Sequence, residues 1–329
     1  MRLARRHLIG SLGAVAMLLP WRVSGPFAQP RAMLRVGQVS LLKVTDEIIA
    51  RFVASMAELG YVEGRNFVFD FITVERPADY EAAYVDLIKR GANILLATGG
   101  EPTLQAARMA SANRVPVVFI AVDYNPVQSG YATSSARPGG NLTGMFVRPV
   151  ETAAKRIELV RELLPKAQRL GLWWDTNSRE QGEAAAAAAK TLELEANLVS
   201  VSGQPPDYDA AFRLSARLRV DAVVVMVTPV YFQARAEIVR LALAHHVPLI
   251  AAFREFAAEG ALMSYGNDLS GVMRETAVYV DRIARGTKPA DLPIEQPTKF
   301  ELAVNLKTAK ALGITVPPTL LFRANQVIK

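Results

Sequence analysis

Short, continuously apolar runs alternate with amphipathic stretches along most of this chain, and no other feature constrains its fold as strongly. Runs such as 94–98 and 115–122 lack polar alternation, which is typical of parallel strands buried on both faces. The stretches between them, such as 46–59 and 102–112, carry apolar residues at helical spacing. We therefore predict an α/β fold in which helices cover both faces of mainly parallel sheets.

The alternation of apolar runs and amphipathic stretches occurs in two consecutive sets. A turn-like segment at 137–141 (Arg-Pro-Gly-Gly-Asn) lies near the boundary between the two sets. A chain of 329 residues exceeds the usual size of one domain, which favours two. We predict two doubly wound lobes, with one very large sheet as the alternative. In such lobes a ligand site lies at the carboxyl ends of the parallel strands.

The first 28 residues differ in composition from the rest of the chain. Residues 1–7 are basic, 8–20 are apolar, and 21–28 are rich in small residues, which is the order of a secretory signal peptide. The apolar stretch is shorter than the roughly 20 residues that a membrane-spanning helix needs. Arg5 and Arg6, followed by His-Leu-Ile, resemble a twin-arginine export signal. We expect export to the periplasm, with an uncleaved membrane anchor as the alternative.

Charge and composition argue against several functions. Four arginines and no acidic residue lie within 1–28, so without that segment the net charge falls from +7 to +3, and no basic cluster predicts nucleic-acid binding. Cysteine is absent, which excludes thiolate metal sites and cysteine nucleophiles. His245 and His246 are adjacent on a predicted helix and point in different directions. Phosphate-loop, dinucleotide-binding, hydrolase and zinc-protease motifs are missing. We expect no enzymatic activity, cofactor or metal.

The loops that follow the predicted strands carry the candidate binding residues. Residues 98–103 (Thr-Gly-Gly-Glu-Pro-Thr) join a strand to a helix, so their backbone could approach a ligand and hold an anion at the helix start. A tight turn is the alternative. Residues 123–126 follow the next strand, and 174–177, 229–232 and 253–256 bring aromatic side chains to comparable positions in the second set. Any one of these later loops is more often a packed loop than a binding site, but their shared placement after strands favours a ligand cleft.

Longer motifs are spread over essentially the whole chain. They are 59–66 (Leu-Gly-Tyr-Val-Glu-Gly-Arg-Asn), 97–100, 137–144 (Arg-Pro-Gly-Gly-Asn-Leu-Thr-Gly), 155–165, 254–258, 263–266, 288–302 and 305–314, with Pro317 and Pro318 behind them. On these motifs the chain resembles the periplasmic substrate-binding proteins of ABC importers, whose characterised members include tryptophan and tyrosine receptors.

This resemblance implies a type I periplasmic binding fold in which the chain crosses between its lobes three times. Lobe 1 would comprise 34–167 and a return segment, 267–292. Lobe 2 would comprise 168–266 and 293–329. The helix at 152–164 is thereby expected in the first lobe.

The resemblance also implies the ligand contacts. From the first side it implies Ser40, Thr98, Gly99, Gly100, Thr103, Asp123, Tyr124 and Asn125. From the second side we expect Trp174, Asp175, Asn177, Tyr231, Glu255 and Asp268. Asn125 and the segment 175–177 depart from the family pattern, so the expected ligand widens to an amino acid or small carboxylate with an apolar part.

The implied function is that of a monomeric receptor that hands a small molecule to the permease of an ABC importer. A periplasmic sensor subunit of a signalling system is the alternative that the sequence leaves open. A cytoplasmic regulator would need a DNA-binding segment ahead of the first strand, where the signal-like residues stand.

Overall fold

The computed structural model describes residues 33–41, 47–203 and 205–329. The predicted export signal at 1–28 lies outside the described residues. The described chain forms two separate sheets with alternating helices, which confirms the predicted α/β class and leaves no place for the single-sheet alternative.

The first sheet has five parallel strands in the order β2-β1-β3-β4-β5. Its strands are β1 (Leu34–Ser40), β2 (Phe67–Thr73), β3 (Ile94–Gly99), β4 (Val117–Val122) and β5 (Leu142–Val147). The helices between them are α1 (Glu47–Glu58), α2 (Tyr80–Lys89) and α3 (Glu101–Ser111). Along β4, Val118 and Ile120 enter one core while Val117 and Phe119 enter another. Both faces of the sheet are therefore buried, as the unbroken apolar runs predict.

The second sheet has seven strands in the order β12-β11-β10-β9-β8-β6-β7, and β10 and β11 form its antiparallel pair. Its strands are β6 (Arg169–Trp174), β7 (Glu195–Ser200), β8 (Ala222–Val225), β9 (Leu249–Ala251), β10 (Met263–Asn267), β11 (Phe300–Asn305) and β12 (Gln326–Ile328). The remaining helices are α4 (Pro149–Leu163), α5 (Arg179–Thr191), α6 (Tyr208–Arg217), α7 (Pro229–Gln233), α8 (Arg235–Ala244), α9 (Arg254–Glu259), α10 (Leu269–Ala284), α11 (Leu306–Ala311) and α12 (Pro318–Arg323).

The chain passes between the sheets three times: at β5–α4, at β10–α10, and in 292–300. Helix α10 packs on α1, β4 and β5, so it lies with the first sheet. Helix α4 packs on α5, β9 and β10, which differs from the expected boundary at 167. The reason is its apolar face, where Ala153, Ile157 and Val160 enter the core of the second sheet. We call the first sheet with α1–α3 and α10 the first lobe, and the rest the second lobe.

The described residues contain no helix that is both long and apolar enough to span a membrane.

Gly144 in β5 occupies a position that no side chain can share. Its φ is 153°, and a Cβ atom there would lie 2.0 Å from the carbonyl oxygen of Phe119 on β4. We expect Gly144→Ala to lower the free energy of unfolding by more than about 3 kcal/mol, because both strands would have to move. Chemical denaturation of the purified variant measures this loss.

Gly130 provides the matched control. It also has a positive φ, 74°, but no described atom lies within 4 Å of the place that a Cβ atom would take. Gly130→Ala should therefore cost only about 1–2 kcal/mol of backbone strain. Equal losses for the two variants would contradict the steric explanation.

Candidate functional site

Two neighbouring cavities lie between the lobes, where the carboxyl ends of β1, β3 and β4 face α7. The apolar cavity has a volume of about 110 Å³. It is lined by Ser40, Leu41, Ile48, Ile49, Tyr80, Thr98, Gly99, Gly100, Ile120, Val122, Val227, Thr228, Pro229, Phe232, Phe253, Leu269 and Met273. The Asp123 cavity has a volume of about 430 Å³, within the range of small-molecule sites. Beyond the residues it shares with the first, it is lined by Pro77, Glu101, Pro102, Gln105, Asp123, Tyr124, Asn177 and Val230.

The turn between β3 and α3 forms the backbone wall shared by both cavities. Gly99 has a φ of 109°, which favours glycine, and a Cβ atom there would lie 3.5 Å from Pro229 Cγ in the second lobe. Gly100 is the N-cap of α3, and Pro102 occupies its first turn. Among the described residues no side chain caps this helix start, so the positive end of its dipole borders the cleft. The backbone amides of this wall can accept an anionic group, and Glu101 in the same turn already brings one carboxylate to the Asp123 cavity.

Asp123 brings a carboxylate to the same sheet edge, directly after β4 and beside the turn between β3 and α3. Its backbone is left-handed, with φ of 65°, which turns the chain at the end of β4. Gln181 Nε2 of the second lobe donates a 2.7 Å hydrogen bond to Asp123 Oδ2. Burial raises the pKa of Asp123 to about 6, and the Gln181 hydrogen bond works against that rise. Asp123 is therefore ionised at neutral pH and close to titration.

Gln181 is held by the second lobe in the orientation that reaches Asp123. It is fully buried, its Nε2 donates to the carbonyl of Val227 at 2.8 Å, and its Oε1 accepts from the amide of Val227 at 2.8 Å. A second amide side chain also crosses between the lobes: Gln233 Nε2 donates to the carbonyl of Leu41 at 2.8 Å. The two lobes are thus in direct polar contact on both sides of the cleft.

The structure brings seven of the fourteen predicted site residues to these cavities. They are Ser40, Thr98, Gly99, Gly100, Asp123, Tyr124 and Asn177. The other seven line neither cavity: Thr103, Asn125, Trp174, Asp175, Tyr231, Glu255 and Asp268.

Some of these seven side chains are occupied within their own loops or helices. The Oδ1 atom of Asn125 accepts hydrogen bonds from two amides of its own turn, at 2.9 and 3.2 Å. Asp175 Oδ1 accepts from the amide of Asn177 at 2.9 Å and from the Ser178 hydroxyl at 3.0 Å. The Thr103 hydroxyl donates to the carbonyl of Thr98 at 3.3 Å. These three residues shape the loops behind the cavities.

The remaining four pack elsewhere. The Tyr231 hydroxyl donates to the carbonyl of Val201 at 3.2 Å within the second lobe, and the Trp174 ring lies under the guanidinium of Arg179. Glu255 lies beside Arg254, with burial raising its pKa. Asp268 lines a separate cavity of about 200 Å³ between α10 and residues 295–299.

Several lining residues come from helices and not from the strand-end loops in which the sequence predicted the site. Ile48 and Ile49 lie in the first turn of α1, and Leu269 and Met273 in the first two turns of α10. Gln181 belongs to an alanine-rich helix whose sequence indicates only ordinary packing. The sequence did contain a signal for α1. A helix that follows a parallel strand begins near the carboxyl end of that strand, so its first turn faces the same sheet edge as the strand-end loops.

Within 33–41, 47–203 and 205–329 no three His, Cys, Asp or Glu side chains are arranged so that they could hold a metal ion. The ring of His245 stacks on Phe212, and its Nε2 lies 2.8 Å from Asp209 Oδ1, away from the cleft residues.

Comparison with known proteins gives consistent results. The family model for ABC transporter substrate-binding proteins matches residues 42–328. The tyrosine-binding protein of Clostridioides difficile (strain R20291) is 24% identical over 266 residues, which are 80% of this chain and 75% of that protein. The ABC domain of Streptococcus pneumonia in complex with L-Trp has a TM-score of 0.78 at 22% identity, covering 90% of this chain and 100% of that one. A conserved domain protein of Vibrio cholerae O1 biovar eltor has a TM-score of 0.78 at 25% identity, covering 90% and 99%.

The raised pKa of Asp123 has a consequence for stability. In the folded protein this carboxyl binds its proton up to about pH 6, whereas its ordinary pKa is 3.8. Its contribution to stability is therefore present below pH 4 and is lost as the pH rises through 6. Between pH 4 and 7 we expect Asp123→Asn to gain about 2 kcal/mol of unfolding free energy relative to the wild type. Urea denaturation of both proteins at several pH values measures this difference, and a difference that does not change with pH would contradict it.

Proposed function

The chain belongs to the family of ABC transporter substrate-binding proteins, and we propose that it is an exported receptor that delivers a small molecule to an ABC importer. The proposed ligand is an amino acid, or a small carboxylate with an apolar or aromatic part, held between the two lobes. Support for this class comes from the tyrosine-binding relative and from the neighbour solved with L-Trp.

The observation that carries the proposal is the composition of the cleft. Most of the side chains around the apolar cavity are hydrophobic, including the rings of Phe232 and Phe253. The polar groups are few and stand at strand ends and at the start of α3. A mostly apolar concave site with a few placed polar groups is typical of small-molecule binding.

The polar groups suggest how an amino acid would lie. Its carboxylate would meet the start of α3 beside Gly100, where the helix dipole favours negative charge. Its ammonium group would lie toward Asp123, which is ionised at neutral pH. Its side chain would enter the apolar cavity. The departure of Asn125 from the family pattern leaves this lining unchanged, because Asn125 is engaged in its own turn.

Gly100 offers a test that separates binding from folding. Its φ is not positive, and the nearest described atom to an added Cβ is Pro102 Cδ, at an ordinary 3.6 Å. A longer side chain at this position would project where both cavities meet. We expect Gly100→Leu to fold but to bind its amino acid at least about tenfold more weakly, since small steric changes in such pockets are worth about 1–3 kcal/mol.

Isothermal titration against the twenty L-amino acids identifies the wild-type ligand and measures the loss in the variant. Ala136→Leu places the same side chain on an exposed loop and should bind as the wild type does. Unchanged affinity in Gly100→Leu would place the site elsewhere, and the absence of any wild-type binding in the panel would reject an amino acid as the ligand.

Export is part of the same proposal and is supported by the composition of residues 1–28. If the segment is a twin-arginine signal, replacing Arg5 and Arg6 together by lysine should remove most of the protein from the periplasmic fraction. Immunoblots of fractionated cells measure this distribution. An unchanged distribution would reject the twin-arginine route, and wild-type protein confined to the cytoplasm would reject export.

A further inference from the structure

The apolar cavity is small for an aromatic side chain. Its volume is about 110 Å³, and none of the described residues that line it carries a charge. For comparison, a dry cavity of about 150 Å³ walled by leucine, isoleucine and phenylalanine holds one benzene molecule. The apolar cavity therefore has room for an aliphatic side chain, but it is too small for a phenol or an indole ring.

The neighbouring Asp123 cavity is a poor environment for the apolar part of a ligand. It is lined by the carboxylates of Asp123 and Glu101 and by the side-chain amides of Gln105 and Asn177. An apolar group placed against these side chains would remove their polar atoms from water without giving them hydrogen bonds. The apolar part of a ligand therefore belongs in the apolar cavity, and the walls of that cavity limit its size.

Phe232 and Phe253 form the wall that the second lobe contributes to the apolar cavity. Both side chains are buried, and their rings meet edge to face with centroids 5.7 Å apart. Behind them lies a separate cavity of only about 10 Å³, which Tyr231 and Phe256 also line. That space is barely enough for one water molecule, so neither ring can move back to admit a larger ligand.

The wall that the first lobe contributes is also closely packed. Ile48 and Ile49 lie at the start of α1, Met273 lies on α10, and all three side chains are buried. The two helices pack against each other. Isoleucine is stiff at χ1, and extra atoms forced into a packed core displace side chains and backbone. The cavity therefore cannot widen on this side without disturbing the packing of α1 on α10.

We propose that the wall of Phe232 and Phe253 determines the ligand's size: the cleft takes an amino acid with an aliphatic side chain, such as leucine, isoleucine, valine or methionine. Aromatic amino acids are disfavoured because their rings exceed the cavity. The inference rests on the proposed function and deepens it, since it names the class of amino acid that the cleft takes.

Isothermal titration of the wild type against the twenty L-amino acids at pH 7.5 tests the size limit. The tightest ligand should be one of the four named aliphatic amino acids, and it should bind at least about tenfold more tightly than tryptophan. This factor is expected because a single methylene group in an apolar pocket is worth about 10- to 200-fold. Any other amino acid as the tightest ligand would contradict the size limit.

Two variants enlarge the apolar cavity from opposite sides. Phe253→Ala removes a ring from the wall of the second lobe, so the affinity for tryptophan, relative to leucine, should rise at least about tenfold over the wild type. Met273→Ala acts from the first lobe and removes fewer atoms, so it should raise the same ratio at least about threefold. Both ratios come from the same titrations.

Phe212→Ala is the matched control. It makes the same truncation in a buried ring of the second lobe that packs on Trp173 and stacks on His245. Phe212 lines neither cavity, so the ratio of tryptophan to leucine affinity should stay that of the wild type. A rise equal to that in Phe253→Ala would reject the inference, because a loosened core would then explain both changes.

The outcomes separate this inference from the proposed function. If the wild type binds none of the amino acids, the proposed amino acid ligand fails and this inference fails with it. If the wild type binds an amino acid but Phe253→Ala leaves the ratio unchanged, the proposed function stands and the size limit is rejected. Should Phe253→Ala fail to fold, the order of the wild-type affinities and the ratio in Met273→Ala still decide.

Discussion

Both sheets are buried on both faces, and this constraint determines where the molecule can place polar groups. In β4 and β8 alternate residues enter separate cores, so these two central strands carry no charged side chain. The polar groups of the cleft stand instead near strand ends and on α3. The carboxyl ends of β1, β3 and β4 supply Ser40, Thr98 and Asp123 at one edge because parallel strands end on the same side. The cleft follows from the topology.

Contact between the lobes concentrates at a few side chains of that edge. Gln181 reaches Asp123 only because the backbone of Val227 fixes both ends of its amide. Gly99 permits the approach of Pro229, since a side chain at its positive φ would be strained and would stand against the proline ring. The burial that raises the pKa of Asp123 is thus a result of the lobes lying together. A charge buried in this way depends on a fixed neighbour, and Gln181 is that neighbour.

The sequence predicted the α/β architecture because the spacing of apolar residues reflects which side chains are buried. Buried strands and amphipathic helices each give a spacing of their own. The sequence did not reveal β5, β11 and β12: β11 alternates polar and apolar residues only briefly, and β12 has three residues. The sequence also did not predict which sheet α4 packs against. An apolar helix face, such as the one that carries Ile157, indicates that the helix is packed but does not identify its partner.

The same limit explains the partial account of the site. Strand-end position found Thr98 and Asp123, because topology alone brings them to the edge. It could not tell Asn125 or Asp175, which bond their own loops, from Asn177, which lines the cavity. Gln181 carried no signal at all, since its role depends on a contact with the other lobe.

The crossings between the lobes limit how the cleft can open. The third crossing is attached to the first lobe as far as Glu295, whose backbone exchanges hydrogen bonds with Phe146 and Gly144 at 2.9 and 3.1 Å. Beyond that point the amide of Asp268 donates to the carbonyl of Lys299 at 3.1 Å, which joins the second and third crossings to each other. Rotation of one lobe against the other is therefore confined to 296–299, to the β10–α10 junction and to the residue between β5 and α4. These short segments allow bending with little translation.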